Sequence, residues 1–372
     1  MRIVSPFLKR VVYPALSGAG AFRRSAATGL AAVTYHGVLP QGYEGVDPVL
    51  DGNLVSAETL RRQLRLLKAN YNVISPDDAL AWRESRCELP ARAVLLTCDD
   101  GLLNNLTDML PVLQQEGVRC LFFVTGASAE EQRSRLWYEE LLQMLLRAPK
   151  GRFEIACDRV AISKALGTPQ QRRAAWWDAV RQLSRVSAEV RNSILGSARV
   201  KFGCDARSGL DERNPGLCRR FGLLTVRELG ELSAAGMSIG AHTLSHPLLS
   251  ETPPDLARAE IADCKTKLET ALGKRIWAMA YPFGDAQSVT PQVLAMPEKA
   301  GYAAAFVNFG GGLGATLPPY ALPRIHVTSQ MSLAEFEAHV SGFYLRLQRL
   351  SGRTAQVTIS QGEAEPPKSR NL

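Results

Sequence analysis

Short apolar runs rich in β-branched and aromatic residues alternate with longer stretches of helical periodicity along most of the chain. Such an alternation is typical of parallel β/α construction, because each helix returns the chain to the start of the next strand. The pattern predicts strands at 31–35, 71–75, 93–98, 119–125, 237–242, 276–281, 302–307 and 321–327. It predicts helices at 58–70, 77–84, 106–117, 225–236, 255–273, 290–300 and 332–350.

Glycines just past several predicted helices support these boundaries, since a residue that accepts a positive φ is favoured there. Gly117, Gly236, Gly273 and Gly301 occupy such positions. Seven or eight successive β/α units predict an α/β protein whose fold is an irregular (β/α) barrel of about seven strands.

The alternation is interrupted between about residues 128 and 221, where arginine-rich sequence of helical character dominates and no strand is predicted. We interpret this stretch as a helical insertion after the fourth strand. The expected organisation is therefore an N-terminal basic segment at 1–29 and a barrel at 30–350 that contains the insertion. A polar, proline-containing tail at 353–372 is expected to be disordered.

The charge of the chain is unevenly placed. The 372 residues carry a formal net charge of +8 in an otherwise ordinary globular composition, and residues 130–220 hold 18 Lys and Arg against 11 Asp and Glu, a net charge of +7. This stretch is either a solvated helical face or a surface for an anionic polymer or membrane. Nucleic acid is not an expected partner, because few aromatic residues beyond Trp176 and Trp177 interleave the basic ones.

Seven cysteines are scattered without any C-x-x-C pair, and we expect reduced thiols in a cytoplasmic-facing protein. In the N-terminal segment, Pro6, Pro14 and Gly18 break the apolar runs, so none is long enough to span a bilayer. The segment also lacks the uninterrupted apolar core of a signal peptide. Its peripheral contact with a membrane surface stays open as an alternative.

Two carboxylates follow the predicted strand 93–98 directly. Asp99 and Asp100 come at its carboxyl end, where a barrel keeps its chemistry, and Gly101 turns the chain. Successive side chains point in different directions, so one acid can bind a metal while the other faces a water molecule. Without a cation the two carboxylates would repel each other. The alternative is a pair that caps the following helix, and the motif alone does not decide between the two.

Two of the five histidines, His242 and His246, lie four residues apart after another predicted strand. On a helical turn both rings would reach the same side, as imidazole ligation of a metal requires. Together with Asp100 they make three protein ligands and leave a fourth position for water. The alternative is a structural role, in which the histidines cap and hydrogen-bond near a strand end.

Three further predicted strands end in polar groups. The turn from Tyr281 to Gly284 can point backbone N–H groups at a substrate oxygen, although Y-P-x-G is also an ordinary turn sequence. Arg324 and His326 place a cation and an imidazole at the end of the last strand, where the histidine is either a general acid or structural. His36 ends the first strand and is either a substrate contact or a hydrogen-bonded polar residue.

In this order, the segments resemble those of the polysaccharide deacetylases, the NodB homology group or carbohydrate esterase family 4. The resemblance covers about residues 30–330 without the insertion; it rests on T-C-D-D-G at 97–101, H-T-L-S-H at 242–246, Y-P-F-G at 281–284 and the late histidine. It implies an irregular (β/α) barrel with one divalent ion, commonly zinc. It also implies removal of N-acetyl, or sometimes O-acetyl, groups, so the expected partner is an acetylated carbohydrate substrate.

The resemblance also implies a role for each segment. Asp99 takes the place of the catalytic base, His326 that of the general acid, and the amide of Phe283 falls at the oxyanion position. Tyr281 and His36 are expected as neighbouring substrate contacts. The metal ligands are Asp100, His242 and His246.

One family residue is replaced in this chain. The arginine that normally holds the base is Ala280 here, as in branches of the family with a Tyr-Pro-Phe-Gly turn. We hypothesise that Arg324 replaces it from the last strand. An ester hydrolase acting on O-acetyl groups at the same site, or a carbohydrate-binding protein that keeps the metal without turnover, are the alternatives to an amidase.

Overall fold

The computed structural model describes residues 7–24, 29–45, 48–157, 160–202, 214–309 and 318–350. All the predicted strands are present within these ranges. The strands of the main sheet are β1 (Leu30–Tyr35), β2 (Asn72–Ile74), β3 (Ala93–Cys98), β4 (Leu121–Val124), β7 (Ser238–Ala241), β8 (Ala278–Ala280), β9 (Ala304–Val307) and β10 (Leu322–His326). A separate hairpin consists of β5 (Arg152–Cys157) and β6 (Val160–Ala165).

The main sheet closes on itself. Its strands follow the order β1-β10-β9-β8-β7-β4-β3, and the pairing of β1 with β3 completes the ring. Every pair in it is parallel, and β2 adds to β3 as an extra strand below the point where β4 begins to pair. The predicted irregular (β/α) barrel of about seven strands is therefore confirmed.

Helices cover the outside of the barrel. Those of the described chain are α1 (Tyr13–Gly18), α2 (Ala21–Arg24), α3 (Pro48–Asp51), α4 (Ala57–Asn70), α5 (Pro76–Arg83), α6 (Leu110–Glu116), α7 (Trp137–Arg147), α8 (Pro169–Leu183), α9 (Ala188–Lys201), α10 (Pro215–Phe221), α11 (Val226–Ala234), α12 (Pro254–Leu272), α13 (Pro291–Leu294), α14 (Met296–Lys299), α15 (Leu333–Val340) and α16 (Phe343–Leu350). Leu8–Val12 and Asn105–Met109 are short π-helical segments, and Gly126–Ala129 is a 3₁₀ turn.

Capping residues set most of these boundaries. Ser75 and Asp78 form a capping box at the start of α5, and Gly117 and Gly273 end α6 and α12 in the left-handed conformation (φ +67° and +61°). Two predicted helices are each divided in two. The helix expected at 332–350 is interrupted at Gly342 (φ +73°), which separates α15 from α16, and that expected at 290–300 is split into α13 and α14.

The barrel interior combines large aromatic side chains with small ones. Phe123 and Phe306 pack ring to ring at 5.4 Å, while Ala280 belongs to the same buried cluster. Gly240 is required here, since a Cβ at this position would lie 2.6 Å from the Phe123 ring. The small residues leave space in the barrel for a long side chain from another strand.

The insertion is a compact unit with a core of its own. It comprises α7 to α10 and the hairpin β5–β6, and its buried residues form a cluster separate from the barrel core. The expectation that no strand occurs in this stretch was wrong. Phe153, Ile155, Val160 and Ile162 alternate with polar residues, and this period-two pattern is the signal that was missed.

The N-terminal helices fold back onto the end of the barrel. Tyr13 and Phe22 are fully buried in a small cluster with Ala338 of α15, and Lys9 pairs with Glu335 at 2.8 Å. Among the described residues, no helix has both the length and the apolar character needed to cross a membrane. The tail at 353–372, for which disorder was predicted, lies outside the described residues.

Candidate active site

Asp99 and Asp100 follow β3 at the mouth of the barrel, and both are buried. The Asp99 N–H donates to the Tyr35 carbonyl at 2.9 Å, so the chain keeps the strand pairing for one further residue. Asp100 then adopts a left-handed conformation with φ +78°. Because of this change of backbone direction the two carboxylates point apart, as predicted, and each has different partners.

Arg324 holds the Asp99 carboxylate with two hydrogen bonds. Its Nη1 and Nη2 donate to Oδ1 and Oδ2 at 2.6 Å each, and Nη1 also donates to Thr97 Oγ1 at 3.2 Å. The guanidinium lies over the rings of Phe123 and Phe306, inside the barrel. Burial alone would raise the pKa of Asp99, but the charge and hydrogen bonds of Arg324 outweigh it and lower that pKa. Asp99 is therefore ionised at neutral pH.

Asp100 lies between the two histidines. Its Oδ1 is 3.5 Å from His242 Nε2 and 3.4 Å from His246 Nε2, and the three side chains are buried. One ligand atom of each lies within 4.8 Å of those of the others. These separations exceed an N–H···O hydrogen bond but match the edge of about 3.3 Å expected for ligands at 2.0–2.1 Å around a tetrahedral ion. The spacing fits a metal ion between the three side chains.

The hydrogen bonding of the His242 ring also fits binding of a metal ion. Its Nδ1 lies 2.8 Å from the Ala280 carbonyl, which can only accept, so Nδ1 carries a proton and Nε2 is the nitrogen that can bind a metal. His246 Nδ1 is buried without a hydrogen-bond partner. Burial disfavours the charged form of His246 and lowers its pKa, which keeps this imidazole in the neutral form that binds metals.

The two histidines do not lie on a helical turn, contrary to the sequence-based interpretation. His242 follows the end of β7, and the chain then runs through a loop in which Thr243 and His246 have φ of +63° and +58°. The His246 N–H donates to Thr243 Oγ1 at 3.1 Å, which tightens the loop. The rings converge because of this folded loop, not because of helical spacing.

The insertion holds this loop from the outer side. Trp137 Nε1 donates to the His246 carbonyl at 3.1 Å, and Arg191 donates to the Ser245 hydroxyl. Further along the loop, the Leu248 N–H donates to Ser184 Oγ at 2.9 Å. Arg191 is buried over the Trp137 ring, and burial lowers its pKa to about 10. The loop that carries His246 and the insertion therefore form one structural unit, and the sequence motifs did not indicate this contact.

The Tyr-Pro-Phe-Gly turn places its aromatic residue in the site. Phe283 has φ +60°, its ring lies 5.0 Å from the His246 ring, and its backbone N–H donates to no group among the described residues. Tyr281 does not face the site, which corrects its expected role as a substrate contact. It is fully buried in the core, and its hydroxyl donates to the Tyr320 carbonyl at 2.9 Å.

His36 and His326 lie beside each other in the cavity wall, with ring centroids 4.9 Å apart. His36 Nδ1 and His326 Nε2 are buried without hydrogen-bond partners. Burial, and then the charge of His36, lower the pKa of His326 to about 3, so the resting imidazole is neutral. Both rings therefore offer unused nitrogen atoms to a ligand.

These residues surround a cavity of about 340 Å³. Besides the expected site residues, Asn53, Asp285 and Asn308 line it from barrel loops. Residues from the insertion form one wall, and sequence reasoning had assigned them no role in the site: Tyr138, Glu139, Leu142, Trp176 and Trp177. The adjacent tryptophans were the signal that could have indicated them.

Comparison with known families agrees with the motif order. The family model described as polysaccharide deacetylase matches residues 87–169 and 219–305. The stretch between these two matches, residues 170–218, is about half of the insertion, so this half is additional to the family pattern. Both metal-site segments fall inside the matched regions.

A curated relative gives a local match. The Bacillus subtilis (strain 168) protein that carries the name polysaccharide deacetylase YxkH is 29% identical over 117 residues, which is 32% of this chain and 41% of that protein. The match therefore spans less than half the length of this relative.

Solved structures show the same fold at low identity. The Streptococcus pyogenes deacetylase PplD, in complex with acetate, aligns with a TM-score of 0.52 at 18% identity, covering 84% of this chain and 99% of that one. IcaB from Ammonifex degensii aligns with a TM-score of 0.51 at 18% identity, covering 85% and 98%. At this level of identity the likeness concerns the fold.

Proposed function

Because the chain belongs to the polysaccharide deacetylase family, we propose that it is a metal-dependent hydrolase that removes N-acetyl groups from a sugar polymer or a polysaccharide precursor. The observation that supports this proposal most directly is that two adjacent carboxylates have different partners. Asp100 converges with two imidazoles, whereas Asp99 is held by Arg324 and still faces the cavity. One metal site and one separate base are the groups that metal-assisted hydrolysis of an amide by water uses.

Zn²⁺ is the ion proposed for the site. Two neutral imidazoles and one carboxylate are ligands of the kind found in catalytic zinc sites, which keep a further position for water or substrate. When bound, such an ion polarises a carbonyl oxygen and lowers the pKa of water to about 7. Asp100, His242 and His246 would hold it.

Asp99 would take the proton of the attacking water. The Arg324 guanidinium keeps the carboxylate ionised and fixes its orientation with both oxygens hydrogen-bonded at 2.6 Å. In this proposal Arg324 fulfils from β10 the role of the family arginine whose position is Ala280 here. Ala280 itself has a small side chain that leaves space for Arg324, and its carbonyl orients the His242 ring.

Two groups would act on the substrate itself. The free N–H of Phe283 would donate to the oxygen that becomes negative during attack, and His326 would donate a proton to the departing amine. Because the low pKa of His326 makes its resting imidazole neutral, it must first take up a proton from solvent in the cavity, and Asp99 returns the proton of the attacking water to solvent after acetate leaves. Its unpartnered Nε2 is available for this, and the neighbouring His36 would contact the substrate. Acetate and a free amino sugar result.

The proposal is tested by acetate release from N-acetylated and O-acetylated oligosaccharides, together with metal analysis of the purified protein. Asp99→Asn is expected to lose at least 100-fold in turnover while keeping bound zinc, because the base is lost but the ligands remain. Asp100→Asn should lose zinc and activity together. Asp255→Asn, at a 91% exposed side chain, is the control and should change neither.

Each outcome has a distinct meaning. Acetate release from esters alone would identify an O-acetyl hydrolase, and sugar binding without release would identify a carbohydrate-binding protein. Full activity in Asp99→Asn, or activity that persists after zinc is removed, would contradict the mechanism.

A location facing the cytoplasm remains part of the proposal. It is supported by the unbridged thiols of Cys87, Cys98, Cys120 and Cys264 among the described residues. A peripheral membrane contact of the N-terminal segment is likewise proposed from its basic character, and flotation with anionic vesicles would test it.

A further inference from the structure

The insertion contributes an aromatic wall to the cavity. Tyr138 from α7 and Trp176 and Trp177 from α8 line it together with Phe283 of the barrel. The rings form a continuous series: Tyr138 lies 4.8 Å from His246 and 5.3 Å from Phe283, and Phe283 lies 5.8 Å from Trp177. The series leads from a proposed metal ligand outward to the cavity rim.

The two tryptophans differ in what holds them. Trp176 is 6% exposed, and its Nε1 donates to the Tyr138 carbonyl at 2.7 Å, so it is an anchor of the insertion core. Trp177 is 41% exposed and packs against Trp176 at 4.6 Å. Of the exposed large hydrophobic residues in the described chain, it alone lines the cavity. The exposed face of this indole is therefore open to a ligand in the cavity.

The polar groups of the cavity are hydrogen-bond acceptors. Asn308 Oδ1 is buried without a partner, and Asp285 Oδ1 accepts only local backbone N–H groups, at 2.8 and 2.9 Å. Asp99 is paired with Arg324 and Glu139 with Arg220, and Asp100 belongs to the proposed metal site, so Asp285 is the lining carboxylate whose charge can repel an anion. Among the described lining residues none is Lys or Arg. Such a lining suits a neutral ligand that donates hydrogen bonds and disfavours an anionic one.

We infer that Trp177 is a stacking platform for a neutral pyranose ring of the substrate, with Asn308 and Asp285 as acceptors for its hydroxyl groups. The apolar C–H face of such a ring packs on an indole, while its hydroxyls donate to the surrounding acceptors. At this position the Asp285 carboxylate disfavours polymers with uronic or sulfated sugars. The inference rests on the proposed function and specifies its substrate class.

Binding is tested in the Asp99→Asn background, so that turnover does not change the ligand. Isothermal titration calorimetry with a neutral N-acetylglucosamine oligomer should give a Kd about tenfold weaker for Trp177→Ala, whereas Trp177→Phe should retain most of the affinity because it keeps an aromatic face. Val190→Ala is the control, since Val190 is 44% exposed in α9 of the same insertion but does not line the cavity. Its Kd should equal that of the background.

The second arm uses an oligomer of equal length that contains uronic acid residues. It should bind at least tenfold more weakly than the neutral oligomer at low salt. Equal affinity of Trp177→Ala and its background, or tighter binding of the anionic oligomer, would overturn the inference. If the wild-type protein binds the neutral oligomer through Trp177 but releases no acetate, the platform stands and the proposed deacetylation fails.

Discussion

At the scale of single residues, the ion pair with Arg324 lowers the pKa of the Asp99 carboxyl and keeps it ionised. Both side chains are at most 1% exposed, so their mutual attraction is little screened. Removing one partner of a buried pair leaves an unpaired buried charge and typically costs about 3–5 kcal/mol. The pair therefore contributes to folding as well as to the state of the base.

Replacing Arg324 should move the pH dependence of activity. In Arg324→Met the charge that lowers the pKa of Asp99 is gone, so this pKa rises and the active carboxylate form appears only at higher pH. We expect kcat/KM at neutral pH to fall at least 100-fold and the acidic limb of the pH–rate profile to shift upward. Arg324→Lys should restore part of the activity, because the lysine ammonium keeps the positive charge but cannot form both hydrogen bonds of the guanidinium.

The matched control is Arg275→Met, which removes a half-exposed arginine paired with Glu84 at the surface. Its profile should coincide with that of the wild type. An unchanged profile in Arg324→Met would show that this arginine does not hold the base.

Sequence reasoning succeeded for some site residues and not for others. Asp100 and the two histidines could be predicted because their residue types and motif spacing indicate a metal site. The position of Tyr281 was missed because it was assigned to the turn, whereas its N–H still pairs with the Phe306 carbonyl, so strand alternation directs its side chain to the face opposite Ala280. The same holds for the loop of His246, where motif spacing was correct but the assumed backbone was wrong.

At the scale of elements, the insertion acts on the metal-binding loop through contacts between residues far apart in the chain. Arg191 and Ser245 are separated by 54 residues, and Trp137 and His246 by 109. Local patterns that predicted the barrel strands contain no information about such pairs. The hairpin β5–β6 is different, because its alternating pattern was visible in the sequence.

Weakening the contact between the insertion and the loop that carries His246 should lower the affinity for a metal ion. Arg191→Met keeps the apolar stem that packs on Trp137 but removes the hydrogen bond to Ser245, so the loop that carries His246 loses a support. Loss of such outer contacts reduces metal affinity by about 10–100-fold. Competition with a chromogenic chelator measures the zinc dissociation constant directly and requires no turnover.

Arg181→Met in α8, where the side chain is 49% exposed, serves as the control and should bind zinc normally. If Arg191→Met lowered the melting temperature but left zinc affinity intact, the contact would be structural only.

At the scale of the whole molecule, part of the basic charge predicted for the insertion is neutralised within the fold. Arg220 is fully buried between Asp51 and Glu139 at 2.8 and 2.9 Å, and Arg133 reaches Glu228 at 2.7 Å. These pairs join the insertion to neighbouring elements. The sequence gives the net charge of a stretch, but which charges are paired depends on the tertiary structure.

The buried His339 should make folding stability depend on pH. Burial, and then the charge of Lys9, lower its pKa from 6.5 to about 4, so between these values the unfolded chain binds a proton that the folded one does not. The stability contribution is complete above pH 6.5 and decreases as the pH falls towards 4, by about 3 kcal/mol. Urea denaturation at pH 8, 6 and 4.5 should show a smaller decrease in His339→Gln than in the wild type.

Glu58→Gln, at a 69% exposed side chain, is the control and should follow the wild-type dependence on pH. Parallel curves for wild type and His339→Gln would contradict the assignment.

Backbone conformation at the site has a consequence for laboratory evolution. The described non-glycine residues with positive φ are Ser85, Arg92, Asp100, Thr243, His246 and Phe283, and the last four surround the proposed metal. Each such conformation typically costs about 1 kcal/mol or more, and glycine or asparagine relieves it. A library selected for heat tolerance alone would therefore accumulate replacements at these four positions, and screening must include activity at every round to keep a working enzyme.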